Sequence, residues 1–124
     1  MILFIDTIAG DNIILALKKG KDVLARKEFE ARRQQAEKLL PEIDKLLKKQ
    51  RLTLKDIEKI EINNSGGSFT SLRIGVVTAN ALAYAIGVPI AGVAGKTKKT
   101  KGIQIVAPEY NQEPVITVKK KGLV

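Results

Sequence analysis

The chain has 124 residues, 44% of them apolar, and a formal net charge of +9. It holds no cysteine, no histidine and no tryptophan. Disulfides, thiolate nucleophiles and thiolate metal sites are thereby excluded, along with the commonest acid–base group near neutral pH. The length suits one compact domain with an aliphatic core, burying about two-thirds of its unfolded surface.

Ile2 to Asp6 reads as a short apolar strand; "MILFIDT" lacks the basic n-region of a signal peptide. Asn12 to Lys18 and Val23 to Phe29 read as the next two strands, with turns at Gly10–Asp11 and Lys18 to Asp22. Two tight connections predict an antiparallel meander. A long helix is expected over Ala31 to Lys49, because Ala36, Leu39, Leu40, Ile43, Leu46 and Leu47 recur on a helical period. Pro41 interrupts it, either as a kink or as the start of a new helix. Thr53 and Asp56 form a capping box for a short turn, and Lys59 to Ile62 is a fourth strand. A second helix runs from Thr70 to Ile86, closed by Gly87, and Val88 to Val93 is a fifth strand. The order βββ-α-β-α-β brings the last strands in parallel beside the meander. An additional C-terminal strand is read at Val115 to Lys119. No run reaches the 18 or so apolar residues of a membrane span. A cytoplasmic protein is expected.

Five features invite a chemical reading. Asp6, at the carboxyl end of the first strand, either holds a hydrated magnesium near a phosphate or closes a turn. In "NNSGGSFTSLRIG", Gly66 and Gly67 permit close backbone approach before a helix start, as a phosphate loop would need. No GK[ST] follows them, however, and Ser68 or Thr70 equally suits a helix cap. Arg73 sits near the positive end of the helix dipole and so calls for a carboxylate, carbonyl or anionic partner. Gly75, Ala79 and Ala83 form a small-residue stripe beside Leu72, Val76 and Leu82. That stripe packs either within the domain or against a partner helix. Finally, "KTKKTK" and Lys119 to Lys121 carry most of the positive excess. Removing these seven lysines leaves 15 of the 22 basic residues against 13 acidic ones. They meet RNA phosphates or serve as a solvated tail.

"ILFIDT", "EKLLP", "GGSFTSLRIG" and "AYAIGVPIAGV" resemble the amino-terminal lobe of the bacterial TsaB proteins, also called YeaZ, from Ile2 to about Val93. The resemblance implies the ribonuclease H-like fold of the actin-like ATPase superfamily, without a functioning ATP site. It also implies a role in forming N6-threonylcarbamoyladenosine at tRNA position 37. Such proteins bind the transferase TsaD through helices of their first lobe, act with the ATPase TsaE, and pair with themselves through the same surface. Three loop positions depart from the family's "GPGSFTGLRIG": Ser65, Gly66 and Ser71. Gln35, Ala36 and Glu37 stand where a His-Ser-Glu is usual, and most of the second lobe is missing, although "APEYNQEPVI" resembles the family's ending.

The expected protein is a single ribonuclease H-like α/β lobe with a mixed five-stranded sheet over 1–94, a lysine-rich linker over 95–102 and a tail over 103–124 that can add an edge strand to that sheet. Its expected function is that of a non-catalytic scaffold for a TsaD-like transferase, homodimeric in isolation, with no cofactor, metal or catalytic residue of its own. The expected interface is Leu39, Ile43, Leu46, Leu72, Arg73, Gly75, Val76, Ala79, Leu82 and Ala83. Lys96, Lys98, Lys99 and Lys101 are the candidates for contact with tRNA within the complex. The alternatives are a small actin-like ATPase or phosphotransferase using Asp6 and Gly66–Gly67, and a basic RNA-binding module.

Overall fold

A computed structural model of the chain describes residues 1–66, 68–93, 97–100 and 103–106. Three antiparallel strands come first: β1 (Ile2–Ala9), β2 (Asn12–Lys19) and β3 (Asp22–Glu30). Helix α1 (Gln35–Lys49), a 3-10 turn (Leu54–Asp56), β4 (Lys59–Ile62), α2 (Phe69–Ile86) and β5 (Ile90–Gly92) follow. The sheet order is β3-β2-β1-β4-β5, with β4 parallel to β1 and β5 parallel to β4. The mixed five-stranded sheet and both helices are those expected.

Both helices lie on one face of the sheet. Period-two alternation decides which strand residues meet them. Leu3, Ile5 and Thr7 of β1, Ile13, Leu15 and Leu17 of β2, and Ile60 and Ile62 of β4 are all buried. Leu39, Ile43, Leu46 and Leu47 of α1 join the same core, with Leu72, Val76, Ala79 and Ala83 of α2. The other face carries Phe4, Lys18 and Glu61: the Lys18 ammonium lies 5.3 Å from the Phe4 ring centroid and 2.5 Å from a Glu61 carboxylate oxygen.

Several boundaries differ from expectation for local reasons. Helix α1 begins at Gln35 and not Ala31, because Arg33 takes a left-handed conformation (φ 61) in the turn before it. Pro41 lies inside one continuous α1, so the Glu37 carbonyl forgoes its i+4 amide on an exposed stretch. Strand β5 is three residues long, because the Val88 amide instead closes α2 by donating to the Ala83 carbonyl (3.0 Å). Strand β6 (Thr97–Thr100), in the segment read as a linker, pairs antiparallel with β7 (Ile103–Val106), at the start of the segment read as a tail, to form a two-stranded sheet beside β5. The expected strand at Val115 to Lys119 lies outside the described residues.

Gly75 sets the distance between α2 and β1. A Cβ there would stand 2.3 Å from Thr7 Oγ1 and 2.9 Å from its Cγ2. Thr7 is fully buried and donates to the Ser71 carbonyl (2.6 Å), so it has nowhere to swing. Alanine gains about 1 kcal/mol over glycine inside a helix, but overpacking a rigid site costs about 1–3 kcal/mol. Gly75→Ala is therefore expected to lower stability in urea titration, and adding Thr7→Ala, which removes both clashing atoms, to restore part of the loss. An effect unchanged by the second substitution would show that the clash is not its cause.

One ion pair ties β3 to α1. Lys27 donates to the half-shielded Glu42 carboxylate, which Lys45 also approaches at 3.6 Å. The Lys27 hydrogen bond holds the Glu42 carboxyl below the usual carboxylate range. A lowered folded-state pKa contributes stability above the unfolded pKa of about 4.3, and that contribution is lost as pH falls through the folded value. The melting temperatures of the parent chain and Lys27→Met are thus expected to differ at neutral pH and to converge in acid. A gap that persists at pH near 2 would assign the effect to the lysine's alkyl packing.

Candidate functional site

Helix α2 is apolar nearly all round; Arg73 is its one charged residue. A helix of that kind requires cover on both sides. The sheet supplies one cover, taking Leu72, Val76, Ala79 and Ala83. The opposite side carries Arg73, Val77, Ala81 and Tyr84, spaced four, four and three residues apart, all exposed. Val77 is 60% exposed and Tyr84 is 69% exposed. Arg73 has no ion pair or hydrogen bond among the described residues, so its guanidinium is available to an outside acceptor.

Helix α1 extends this surface. The Gln35 amide donates to Ser71 Oγ (2.8 Å) and so aligns the first turns of the two helices. Both helices follow strands that run in the same direction, so they descend the sheet in parallel. Leu40 lies five residues past that contact on α1 and Val77 six residues past it on α2, within about 2 Å of the same height at 1.5 Å per residue. Leu40 is 51% exposed. Leu40, Val77, Ala81 and Tyr84 are among the apolar residues of the helix pair that stand exposed among the described residues.

The loop before α2 reads in the sequence either as a phosphate loop or as a helix cap. Gly66 has a positive φ of 94 and is buried, Ser68 accepts the Ser71 amide (3.1 Å) as N-cap, and Gly67 lies outside the described residues. Asp6 closes the strand ends: one oxygen accepts the Ile8 amide (2.8 Å) and the other the Asn63 side chain (3.3 Å). Among the described residues no three acidic side chains gather as metal ligands. A cleft of about 590 Å³ does open between the β1–β2 turn and the helix starts, lined by Asp11, Arg32, Arg33, Gln35, Ser68 and Thr70 among others. Its one carboxylate, Asp11, is taken by Arg32 at 2.8 Å.

The family model for TsaD, tRNA N6-adenosine threonylcarbamoyltransferase, matches residues 28–118, more than two-thirds of the chain. The chain belongs to this family. A tRNA N6-adenosine threonylcarbamoyltransferase of Brachyspira hyodysenteriae is 36% identical, over 72% of this chain and 31% of its own length. The tRNA threonylcarbamoyladenosine biosynthesis protein TsaB of Buchnera aphidicola is 32% identical, over 76% of this chain and 44% of its own. The solved structure of YeaZ from Pseudomonas aeruginosa superposes with a TM-score of 0.65 at 26% identity, over 76% of this chain and 43% of that one. The chain is thus TsaB/YeaZ-like with the actin-like, ribonuclease H-like fold, and it spans less than half the length of these relatives.

In this TsaB-like lobe the expected interface residues divide sharply. Leu39, Ile43, Leu46, Leu72, Val76, Ala79 and Ala83 are buried in the lobe's own core, and Gly75 faces Thr7. A side chain without accessible surface has none to offer a partner, so these eight belong to the fold. Leu82 is half-buried against the same core. Arg73 alone stands on the exposed face. Leu40 of α1 and Val77, Ala81 and Tyr84 of α2 are exposed and are not singled out in the sequence as interface residues; for the three on α2 the available signal is a helix with a single charged residue. Of the candidate tRNA contacts, Lys98 and Lys99 fall on β6, while Lys96 and Lys101 lie outside the described residues. No helix among the described residues is long and apolar enough to cross a membrane.

Proposed function

We propose that this lobe is a non-catalytic partner of a TsaD-like transferase in N6-threonylcarbamoyladenosine formation, acting in the cytoplasm. The contact is the exposed side of α2, Arg73, Val77, Ala81 and Tyr84, with Leu40 of α1. The observation that carries the reading is the two-sided apolarity of α2: a monomer leaves Val77 and Tyr84 in water. The resemblance to TsaB supplies the partner. Without that partner, two copies pair through the same face, each covering the other's helices.

Co-expression with the TsaD protein of the same source tests it. The lobe is expected to co-purify with TsaD and to raise threonylcarbamoyl transfer, and Tyr84→Glu to remove both while the lobe stays folded. Full association by Tyr84→Glu, or no complex between two folded parent proteins, would sink the proposal.

A further inference from the structure

Among the described residues strand β3 is an edge of the sheet, bonded to β2 on one side only. Alternate residues of such a strand turn their main-chain N–H and C=O groups outward. The pairing slips by one residue within it: Ala25 faces Leu17 and Val23 faces Lys18, leaving Leu24 as the extra residue of a bulge. Val23 and Leu24 are consequently both about half exposed. Next to them a groove of about 320 Å³ runs between β3 and the last turns of α1. Leu24, Ala25 and Leu46 supply its apolar lining, and Arg26, Lys27, Lys45 and Lys49 its charge. No acid lines it; Glu42, behind, takes Lys27 and approaches Lys45, Glu28 takes Arg26, and Lys49 has no ion pair among the described residues.

We propose that this groove receives an extended acidic segment of a partner protein, which adds to β3 as a further strand. Its backbone would meet the open edge, an apolar side chain would seat on the half-exposed Leu24, and carboxylates would reach Lys45 and Lys49. Three features select this occupant. A sheet edge alternates donors and acceptors, which a peptide backbone complements and a phosphodiester, having acceptors alone, does not. Lys49, without an ion pair among the described residues, and Lys45, which only approaches Glu42 at 3.6 Å, call for acidic side chains. A second copy is disfavoured by the same charges, since antiparallel pairing of two β3 edges about a twofold axis normal to the sheet would set one cationic groove against another. The groove is separate from the exposed face of α2, so the outcome for TsaD leaves this inference untouched.

The probe is the peptide acetyl-Glu-Val-Asp-Leu-Glu-Val-Asp-amide, titrated into the isotopically labelled full chain and followed by amide NMR. Shifts are expected at residues 22–27 and 45–50, with slowed hydrogen exchange at alternate β3 amides. Affinity is expected to fall with added salt and by about tenfold or more in the Lys45→Glu, Lys49→Glu double variant. Both lysines are exposed, and an unchanged melting curve verifies that the variant is folded. The proposal is overturned by no shift at millimolar peptide, by equal shifts with the all-lysine counterpart of the peptide, or by stronger shifts at the same residues with oligouridylate, which would make the groove an RNA site.

Discussion

Ala79→Glu is expected to abolish cooperative unfolding of the lobe, whereas Val77→Glu, two residues earlier on the same helix, is expected to leave melting intact and remove pairing. Ala79 is 0% exposed, wedged between α2 and the sheet. A carboxylate there has no cation within reach of its own helix face, and an unpaired buried charge costs about 3–5 kcal/mol or more. Domains of this size are stabilised by about 5–15 kcal/mol in total, so the substitution removes much or all of the margin. Val77 points into water, where substitutions stay within about 0.5 kcal/mol. Circular dichroism melts and sedimentation of both variants separate the two roles. A folded, monomeric Ala79→Glu protein would turn the small-residue stripe outward and reverse the assignment of α2's faces.

Leu39→Ala is expected to be nearly as damaging. Leu39 is fully buried in the core that α1 shares with the sheet. Truncating a buried leucine loses its transfer energy and leaves a cavity, together about 2–5 kcal/mol. At about 4–8 °C per kcal/mol for a domain of this size, the midpoint should fall by roughly 10 °C or more. Leu40→Ala, one residue on, is the control, since half of that side chain is already in water. Its effect should appear in association and not in the melt. Equal destabilisation by the two variants would contradict the phase assigned to α1.

These contrasts mark where the sequence is legible. The meander could be read because turn residues and alternating apolar residues coincide at Gly10–Asp11 and Gly20–Lys21. The capping box at Thr53 could be read because its two hydrogen bonds are local: the Asp56 carboxylate accepts the Thr53 amide at 2.8 Å. The apolar stripe of α1 was legible too, and Leu39, Ile43 and Leu46 are its centre; the resemblance turned that stripe toward a partner, but the sheet claims it. On α2 the period carries no phase, because residues on opposite sides are equally apolar. Gly75, Ala79 and Ala83 suit close approach to any neighbour, and only the strand register reveals that the neighbour is β1. The β3 bulge is illegible for a related reason: a one-residue slip depends on β2, not on Leu24 itself.

The placement of β1 has a kinetic consequence. This strand lies at the middle of the sheet, between a partner ten or so residues away in sequence and one some 57 residues away, as the pairing of Ile2 with Lys59 shows. Closing the longer loop must await the whole of α1, and contacts of such separation slow folding. During synthesis the meander is complete while the far side of β1 is still bare, a row of open amides and carbonyls flanked by Leu3 and Ile5. Until β4 arrives, the strand that later is the most protected in the lobe is its most adhesive. The interval between translation of β3 and docking of β4 is therefore when this chain most needs a holdase.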